Sequence, residues 1–278
     1  MEIELKNAAF VGAAGKESLY DLSLPHNFNG QVILFIHGYM GFKDWGCWNL
    51  VADFFLSKGY GFVKFNVSHN GTSTQDPLTF VDLNAFAENS YFKELIDIRS
   101  MIDIVHAKFP SKCEINLIGH SRGGGIALIA GIDERIHKIV SWAGISSIAK
   151  RFPNDEELAK WQNEGVKYVH NSRTKQDLPL NFSQFEEFKS HEDELSIEQS
   201  CKQLRKPVAI FHGTNDESVK ISEGMELATM LNVPLTKIEG ANHTFNATHP
   251  WNEPHLPGAL LELCERTNEF LLTKSSRA

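Results

Sequence analysis

Glu114-Ile-Asn-Leu-Ile-Gly-His-Ser-Arg-Gly-Gly-Gly-Ile-Ala-Leu-Ile-Ala130 is the stretch on which the fold turns. An apolar run (Ile115, Leu117, Ile118) stops at Gly119-His120-Ser121-Arg122-Gly123, and small and apolar residues at helical spacing follow at once. That pattern predicts a strand, a sharp turn and a helix. A serine at the apex of so tight a turn is forced into strained backbone angles, and small residues two before and two after it let strand and helix cross closely. Its hydroxyl then stands clear of the sheet, at a helix N-terminus whose unpaired N–H groups favour developing negative charge. Ser121 is the candidate nucleophile. Gly-x-Ser-x-Gly by itself is a weak pattern that many glycine-rich packing turns share, so the reading requires an acid and a histidine further along.

Working outward, Gln31 to Ile36 is a continuous apolar run ending at His37-Gly38, as expected of a strand buried on both faces of a parallel sheet. Trp48 to Lys58 has helical spacing, and Tyr60 to Val67 reads as the next strand, followed by a turn-rich loop at Ser68 to Ser73. Phe80 to Phe109 reads as one long helix, with Leu95, Ile98, Ile102 and Val105 on one face and Pro110 as its stop. Lys138 to Ala143 is another buried strand. After the elbow the pattern resumes with a strand at Pro207 to Phe211, a helix at Glu217 to Leu231, a strand at Pro234 to Ile238 and a closing helix at Gly258 to Leu272. Residues 3 to 11 and 18 to 24, split by Gly12 to Gly15, suggest an opening antiparallel hairpin at a sheet edge. Gly15-Lys16 is no phosphate loop, because position 10 is Phe and position 17 is Glu.

Strands separated by helical segments imply right-handed β-α-β units, hence an α/β protein with a mostly parallel central sheet flanked by helices. Between about Ile145 and Leu204 the alternation breaks and the composition turns polar, with Asp155-Glu156-Glu157, Glu186-Glu187 and Glu192-Asp193-Glu194. The expected organisation is a core of residues 1–144 and 205–278 with a cap or lid inserted at 145–204. Within the insertion, Val166 to Val169 and Arg173 to Leu180 flank His170-Asn171-Ser172 as a hairpin.

The chain has 278 residues, 42% hydrophobic and 22% charged, enough for one large α/β domain with a modest insertion. A formal net charge of −8 without any Lys/Arg run argues against a nucleic-acid or anionic-membrane surface. Cys47, Cys113, Cys201 and Cys264 are scattered, with no metal-binding spacing, and are expected to be free thiols. Met1 to Lys6 lacks the pattern of a signal peptide, and no stretch approaches the ~20 apolar residues of a membrane helix. A cytoplasmic enzyme is the expectation. No metal or organic cofactor is implied, since neither His-Glu-x-x-His nor a glycine-rich dinucleotide pattern occurs.

In parallel sheets chemistry gathers at the carboxyl ends of strands. Four such ends carry polar or reactive residues: His37-Gly38-Tyr39, Ser121, Asp216 in Phe-His-Gly-Thr-Asn-Asp, and His243 in Glu-Gly-Ala-Asn-His-Thr-Phe. Their order of Ser, Asp, His resembles the α/β-hydrolase superfamily over nearly the whole chain. Within it the chain is similar to the small bacterial serine esterases related to dienelactone hydrolases and feruloyl esterases. That likeness rests on His37-Gly38-Tyr39, the Gly-His-Ser-Arg-Gly-Gly elbow, His212-Gly213-Thr214-Asn215-Asp216 and the insertion before the acid strand.

The resemblance implies an α/β-hydrolase fold and carboxylic-ester hydrolysis through an acyl-enzyme, with Ser121 as nucleophile, His243 as base and Asp216 as its orienting acid. It also implies an oxyanion hole built from the backbone N–H groups of Tyr39 and Arg122. Each residue has a plainer rival. Asp216 could be a helix N-cap and has polar neighbours in Asn215 and Glu217, while His249 and His255 compete with His243. His37 and His120 read as buried supports bonded to backbone, and the Arg122 side chain as paired with a carboxylate or carbonyl. Trp45, Trp142 and Tyr168 are the candidate substrate-pocket residues, taken from a wider set of aromatics that includes Phe42, Trp48, Trp161, Phe182, Phe185 and Phe188, although aromatic residues are more often core. The expected partner is a small-molecule ester of a small or aromatic acid. A peptidase of prolyl-oligopeptidase type, an acyl-thioesterase and a non-catalytic binding protein on the same fold are the alternatives. The oligomeric state, a homodimer included, is left open.

Overall fold

Which face of a strand is apolar decides how many layers can pack on a sheet, and here both faces are. The computed structural model describes residues 3–109 and 113–273. In chain order its strands are β1 (Ile3–Val11), β2 (Glu17–Leu24), β3 (Gln31–Ile36), β4 (Gly61–Phe65), β5 (Glu114–His120), β6 (Ile136–Trp142), β7 (Val166–Asn171), β8 (Gln176–Asn181), β9 (Val208–Gly213) and β10 (Leu235–Ile238). The helices are α1 (Trp48–Ser57), α2 (Leu83–Glu88), α3 (Tyr91–Lys108), α4 (Arg122–Ala130), α5 (Asp155–Glu164), α6 (Ser183–Ser190), α7 (Ile197–Gln203), α8 (Ile221–Leu231) and α9 (Gly258–Leu272).

Eight strands form one sheet in the order β1-β2-β4-β3-β5-β6-β9-β10. β1 and β2 pair antiparallel, as the sequence predicts, and β2 runs antiparallel to β4. From β4 to β10 every pair is parallel. Successive side chains on a strand point to opposite faces, so one apolar run feeds two cores. Val32, Leu34 and Ile36 of β3 join Ile115 and Leu117 of β5 beneath α3, α4 and α8. Ile33, Phe35 and Ile118 face the other way, into the core closed by Trp48, Val51 and Phe55 of α1 and Leu260, Leu263 and Leu271 of α9. This is the α/β-hydrolase architecture that the motifs imply.

Two helix boundaries differ from the sequence-based expectation. The 80–109 segment is two helices, because Asp82 and Ser90 each turn a side-chain oxygen onto a first-turn amide (Ala85 N and Lys93 N) and so start separate helices. Pro110, read as the stop of that segment, lies outside the described residues. α8 begins at Ile221 and not at Glu217, because Asp216 Oδ1 holds the amides of Ser218 and Val219 in a turn.

The segment between β6 and β9 carries α5, α6 and α7 together with the antiparallel pair β7-β8, which forms a sheet of its own. Its Trp161, Leu178, Leu180 and Phe182 pack with Phe42, Phe80 and Phe86 in a third apolar cluster. That cluster binds the segment to the loop after β3. Among the described residues no helix is long and apolar enough to cross a membrane.

Candidate active site

The 114–130 stretch folds as strand, turn and helix, and Ser121 between β5 and α4 takes a φ of 59°. Left-handed backbone at a residue other than glycine is strained and persists only where packing on both sides dictates it. Two glycines make that packing close enough. A Cβ on Gly119 would lie 2.2 Å from the carbonyl oxygen of Gly123, and one on Gly123 would lie 2.5 Å from the carbonyl oxygens of both Ile36 and His37. The loop after β3 is equally near, since a Cβ on Gly38 would stand 2.9 Å from Ser121 Cβ. Tyr39 and Arg122, whose amides were expected to form the oxyanion hole, both border the cavity beside Ser121.

Asp216 follows β9 and His243 follows β10, and the parallel register brings both to the end of the sheet where β5 delivers Ser121. His243 Nε2 lies 2.9 Å from Ser121 Oγ, and His243 Nδ1 lies 2.8 Å from Asp216 Oδ2. The carboxylate can only accept, so Nδ1 carries the proton and Nε2 presents its lone pair to the serine hydroxyl. Asp216 is buried, whereas Asn215 and Glu217 are exposed. Burial pushes the Asp216 carboxyl up, but hydrogen bonds from His212 and His243 and from the Val219 amide outweigh that and hold it well below the ordinary carboxylate range. The same residue therefore does both things the sequence suggested as rivals: Oδ1 organises a turn and Oδ2 faces the imidazole.

Of the four other histidines that the sequence singles out as rivals or supports, three are held by backbone groups. His120 Nε2 donates to the His243 carbonyl at 2.9 Å, and burial beside His243 pushes its pKa down to about 3. His37 donates from Nδ1 to the Gly38 carbonyl at 2.9 Å and accepts the Val67 amide at Nε2. His249 accepts from Gly46 N and stacks on Trp45, and His255 is exposed. The Arg122 side chain pairs with Glu94 at 2.9 Å, its guanidinium 4.2 and 4.3 Å from the ring centroids of Tyr39 and Tyr91.

The cavity at the Ser121–His243 edge has a volume of about 410 Å³. None of the three expected pocket aromatics lines it. Trp142 points into the core on the α1/α9 face, fully buried, with its indole N–H donating to Thr267 Oγ1 at 3.0 Å. Trp45 packs on Trp48 and His249. Tyr168 is 64% exposed, because the two-residue alternation of β7 turns its neighbours Lys167 and Val169 to the cavity and Tyr168 to water. Of the wider set of aromatics Trp161 does line the cavity, and Phe152 and Leu180 join it in the apolar lining. Sequence reasoning also missed Tyr91, Arg151, Lys167, Gln184, Ser218 and Val219, which carry no local motif and meet the cavity only through tertiary folding.

Loop placement after β3 has its own anchor. Lys43 Nζ bonds Asp21 at 2.8 Å and Asp44 at 2.6 Å, Lys64 Nζ bonds both acids too, and Asn66 Oδ1 accepts the Lys43 amide at 2.6 Å. Buried charges survive only when paired and hydrogen-bonded, as these are. The network fixes the segment that carries Tyr39 relative to β2 and β4.

The model for the family described as the alpha/beta hydrolase fold matches residues 31–188. No curated protein matches the sequence. Among solved structures, Est1E from Butyrivibrio proteoclasticus with ferulic acid bound superposes with a TM-score of 0.70 at 21% identity, covering 95% of this chain and 98% of that one. Dienelactone hydrolase from Anabaena variabilis gives 0.61 at 16% identity over 98% and 97%. The Pyrococcus furiosus esterase Pf2001 gives 0.62 at 16% identity over 98% and 90%. At these identities the likeness concerns the fold.

Proposed function

This chain belongs to the α/β-hydrolase fold family, and from that premise we propose that it is a serine hydrolase cleaving carboxylic esters of small or aromatic acids through an acyl-enzyme. One observation carries the reading: a serine hydroxyl on a strained turn, 2.9 Å from an imidazole nitrogen whose other nitrogen is 2.8 Å from a buried carboxylate. In the proposed cycle Ser121 Oγ attacks the ester carbonyl carbon while His243 Nε2 takes its proton. The carbonyl π pair moves onto oxygen, where the amides of Tyr39 and Arg122 meet it; each such donor is typically worth ~3–4 kcal/mol of barrier. Collapse breaks the C–O bond, and the imidazolium protonates the departing alcohol. Water then attacks the acyl carbon, giving its proton to His243, and the acid leaves as Ser121 Oγ recovers that proton. Asp216 stays ionised throughout and stabilises the imidazolium. We read residues 145–204 as a cap, because Arg151, Phe152, Trp161, Lys167, Val169 and Leu180 from it line the cavity. The reading calls on no cofactor, since the three side chains supply nucleophile, base and acid.

A fluorophosphonate probe tests the nucleophile directly. Wild-type protein is expected to be labelled and Ser121→Ala not; a folded wild type that resists the probe would overturn the reading in favour of a binding protein. A panel of nitrophenyl ester, acyl-thioester and dipeptide anilide then orders the activities, with the oxygen ester expected to be cleaved fastest.

A further inference from the structure

The cavity beside Ser121 is lined by three cationic side chains, Arg122, Arg151 and Lys167, and by no aspartate or glutamate, on a chain whose formal net charge is −8. Two of the cations are already balanced. Arg122 pairs with Glu94 between two tyrosine rings, and Arg151 pairs through Nη2 with Glu223. Lys167 has no ion-pair partner among the described residues: its ammonium lies 3.8 Å from the centroid of the Trp161 ring, and Glu157 acts on it only from beyond ion-pair range. Trp161 is itself held, its indole N–H donating to the Leu180 carbonyl at 2.8 Å. The ammonium therefore rests on a fixed platform, at the cost of partial burial that pulls its pKa below the usual lysine value.

A second feature points the same way. Arg151 Nε is buried and meets no hydrogen-bond acceptor. Buried donors without partners are rare in folded proteins, and because Arg151 lines the cavity, a small shift of its side chain would let an acceptor that arrives with the ligand meet this one. The cavity thus brings together one unbalanced positive charge and two lining residues with an unmet donor, Arg151 at Nε and Tyr39 at its hydroxyl, next to the apolar walls of Phe152, Trp161, Val169 and Leu180.

Resting on the ester-hydrolase reading, we propose that the substrate is an ester that also bears a free carboxylate, which pairs with Lys167 and takes Arg151 Nε as a second donor while its apolar body lies on Phe152 and Trp161. A single carboxylate matches the single unbalanced charge, whereas a phosphate dianion would bring one negative charge too many. The charge sets preference among esters and takes no part in bond making.

The test compares mono-4-nitrophenyl glutarate with its methyl ester, which places the carboxylate on the acyl side, and 4-acetoxybenzoate with methyl 4-acetoxybenzoate, which places it on the alcohol side. In one arm the wild type is expected to favour the anion in kcat/KM, and Lys167→Met to lower that anion-to-neutral ratio by about tenfold or more, as loss of a charged hydrogen bond does. Lys167→Arg keeps the charge and is expected to restore the ratio. A ratio that Lys167→Met leaves unchanged in both arms would sink the proposal while the ester reading stands. If the wild type cleaves no ester, that reading fails by itself. Calorimetric binding of the same compounds to Ser121→Ala then decides the subsite: tighter binding of the anions, lost in Ser121→Ala/Lys167→Met, supports it, and equal binding of anion and methyl ester overturns it.

Discussion

His212 Nε2 stands 3.2 Å from Asp216 Oδ2, the same oxygen that faces His243 Nδ1 at 2.8 Å. His212 Nε2 also lies 2.8 Å from the Val219 carbonyl, so with two acceptors before it that nitrogen must carry the proton. One carboxylate thus receives two imidazole N–H groups at Oδ2 and two backbone amides at Oδ1.

That concentration of donors predicts the effect of Asp216→Asn. An amide cannot accept at both ends, so His243 would be left in the wrong tautomer with its lone pair turned from Ser121. By analogy with other Ser-His-Asp enzymes kcat is expected to fall about 10⁴-fold. Steady-state kinetics with an unchanged circular dichroism spectrum would check it, and a loss below tenfold would remove Asp216 from its proposed role.

Gly123→Ala places a methyl group 2.5 Å from the carbonyl oxygens of Ile36 and His37, which are backbone atoms that cannot step aside. Overpacking of this kind costs typically ~1–3 kcal/mol. Because the displaced atoms lead into Gly38 and Tyr39, turnover should fall together with Tm. A variant as stable and active as wild type would show that the elbow is looser than its geometry.

Glu94→Ala strands the Arg122 guanidinium in a site where that side chain is 13% exposed. Removing one partner of a buried pair typically costs ~3–5 kcal/mol. Urea unfolding should show it, and Glu94→Leu/Arg122→Met should lose less than Glu94→Ala alone. If the double variant proves the less stable of the two, the pair matters through packing and not through charge.

Acid stability follows from the buried histidines. Burial holds His120 at about 3 and His69 at about 4 in the folded protein, below the ordinary value of 6.5. The unfolded chain therefore binds their protons first: the contribution is full above pH ~6.5 and is lost as pH falls toward the folded values, at up to ~1.4 kcal/mol per pH unit per group. Asp97 opposes this, because burial raises its carboxyl to about 6 and the folded state takes up its proton early. Burial lowers His37 and His249 as well, so the histidines outweigh the one acid and leave a net loss between pH 6 and 5. His120→Gln, which can still donate to the His243 carbonyl, should flatten the fall of Tm over that interval; an unchanged slope would mean that His120 is not the neutral group described.

The strand, elbow and helix of 114–130 are legible because each depends on residues within a few positions of one another. Ser121, Asp216 and His243 are legible as candidates because each follows an apolar strand run, and strand ends in a parallel sheet share one edge. The division of 80–109 at Asn89-Ser90 was hidden because helical spacing continues across it while capping by Ser90 decides the boundary.

From its sequence alone this chain determines a parallel sheet buried on both faces, a serine at the apex of a strand-to-helix turn, and the order of the residues that could act with it, since periodicity and turn chemistry are local properties. Only the tertiary structure decided that Trp142 belongs to the core and Tyr168 to water, and that Lys167 and Arg151 meet Ser121 around one cavity. An aromatic or cationic residue has the same composition on either face of its strand, and the face is set by which elements pack against it from far along the chain.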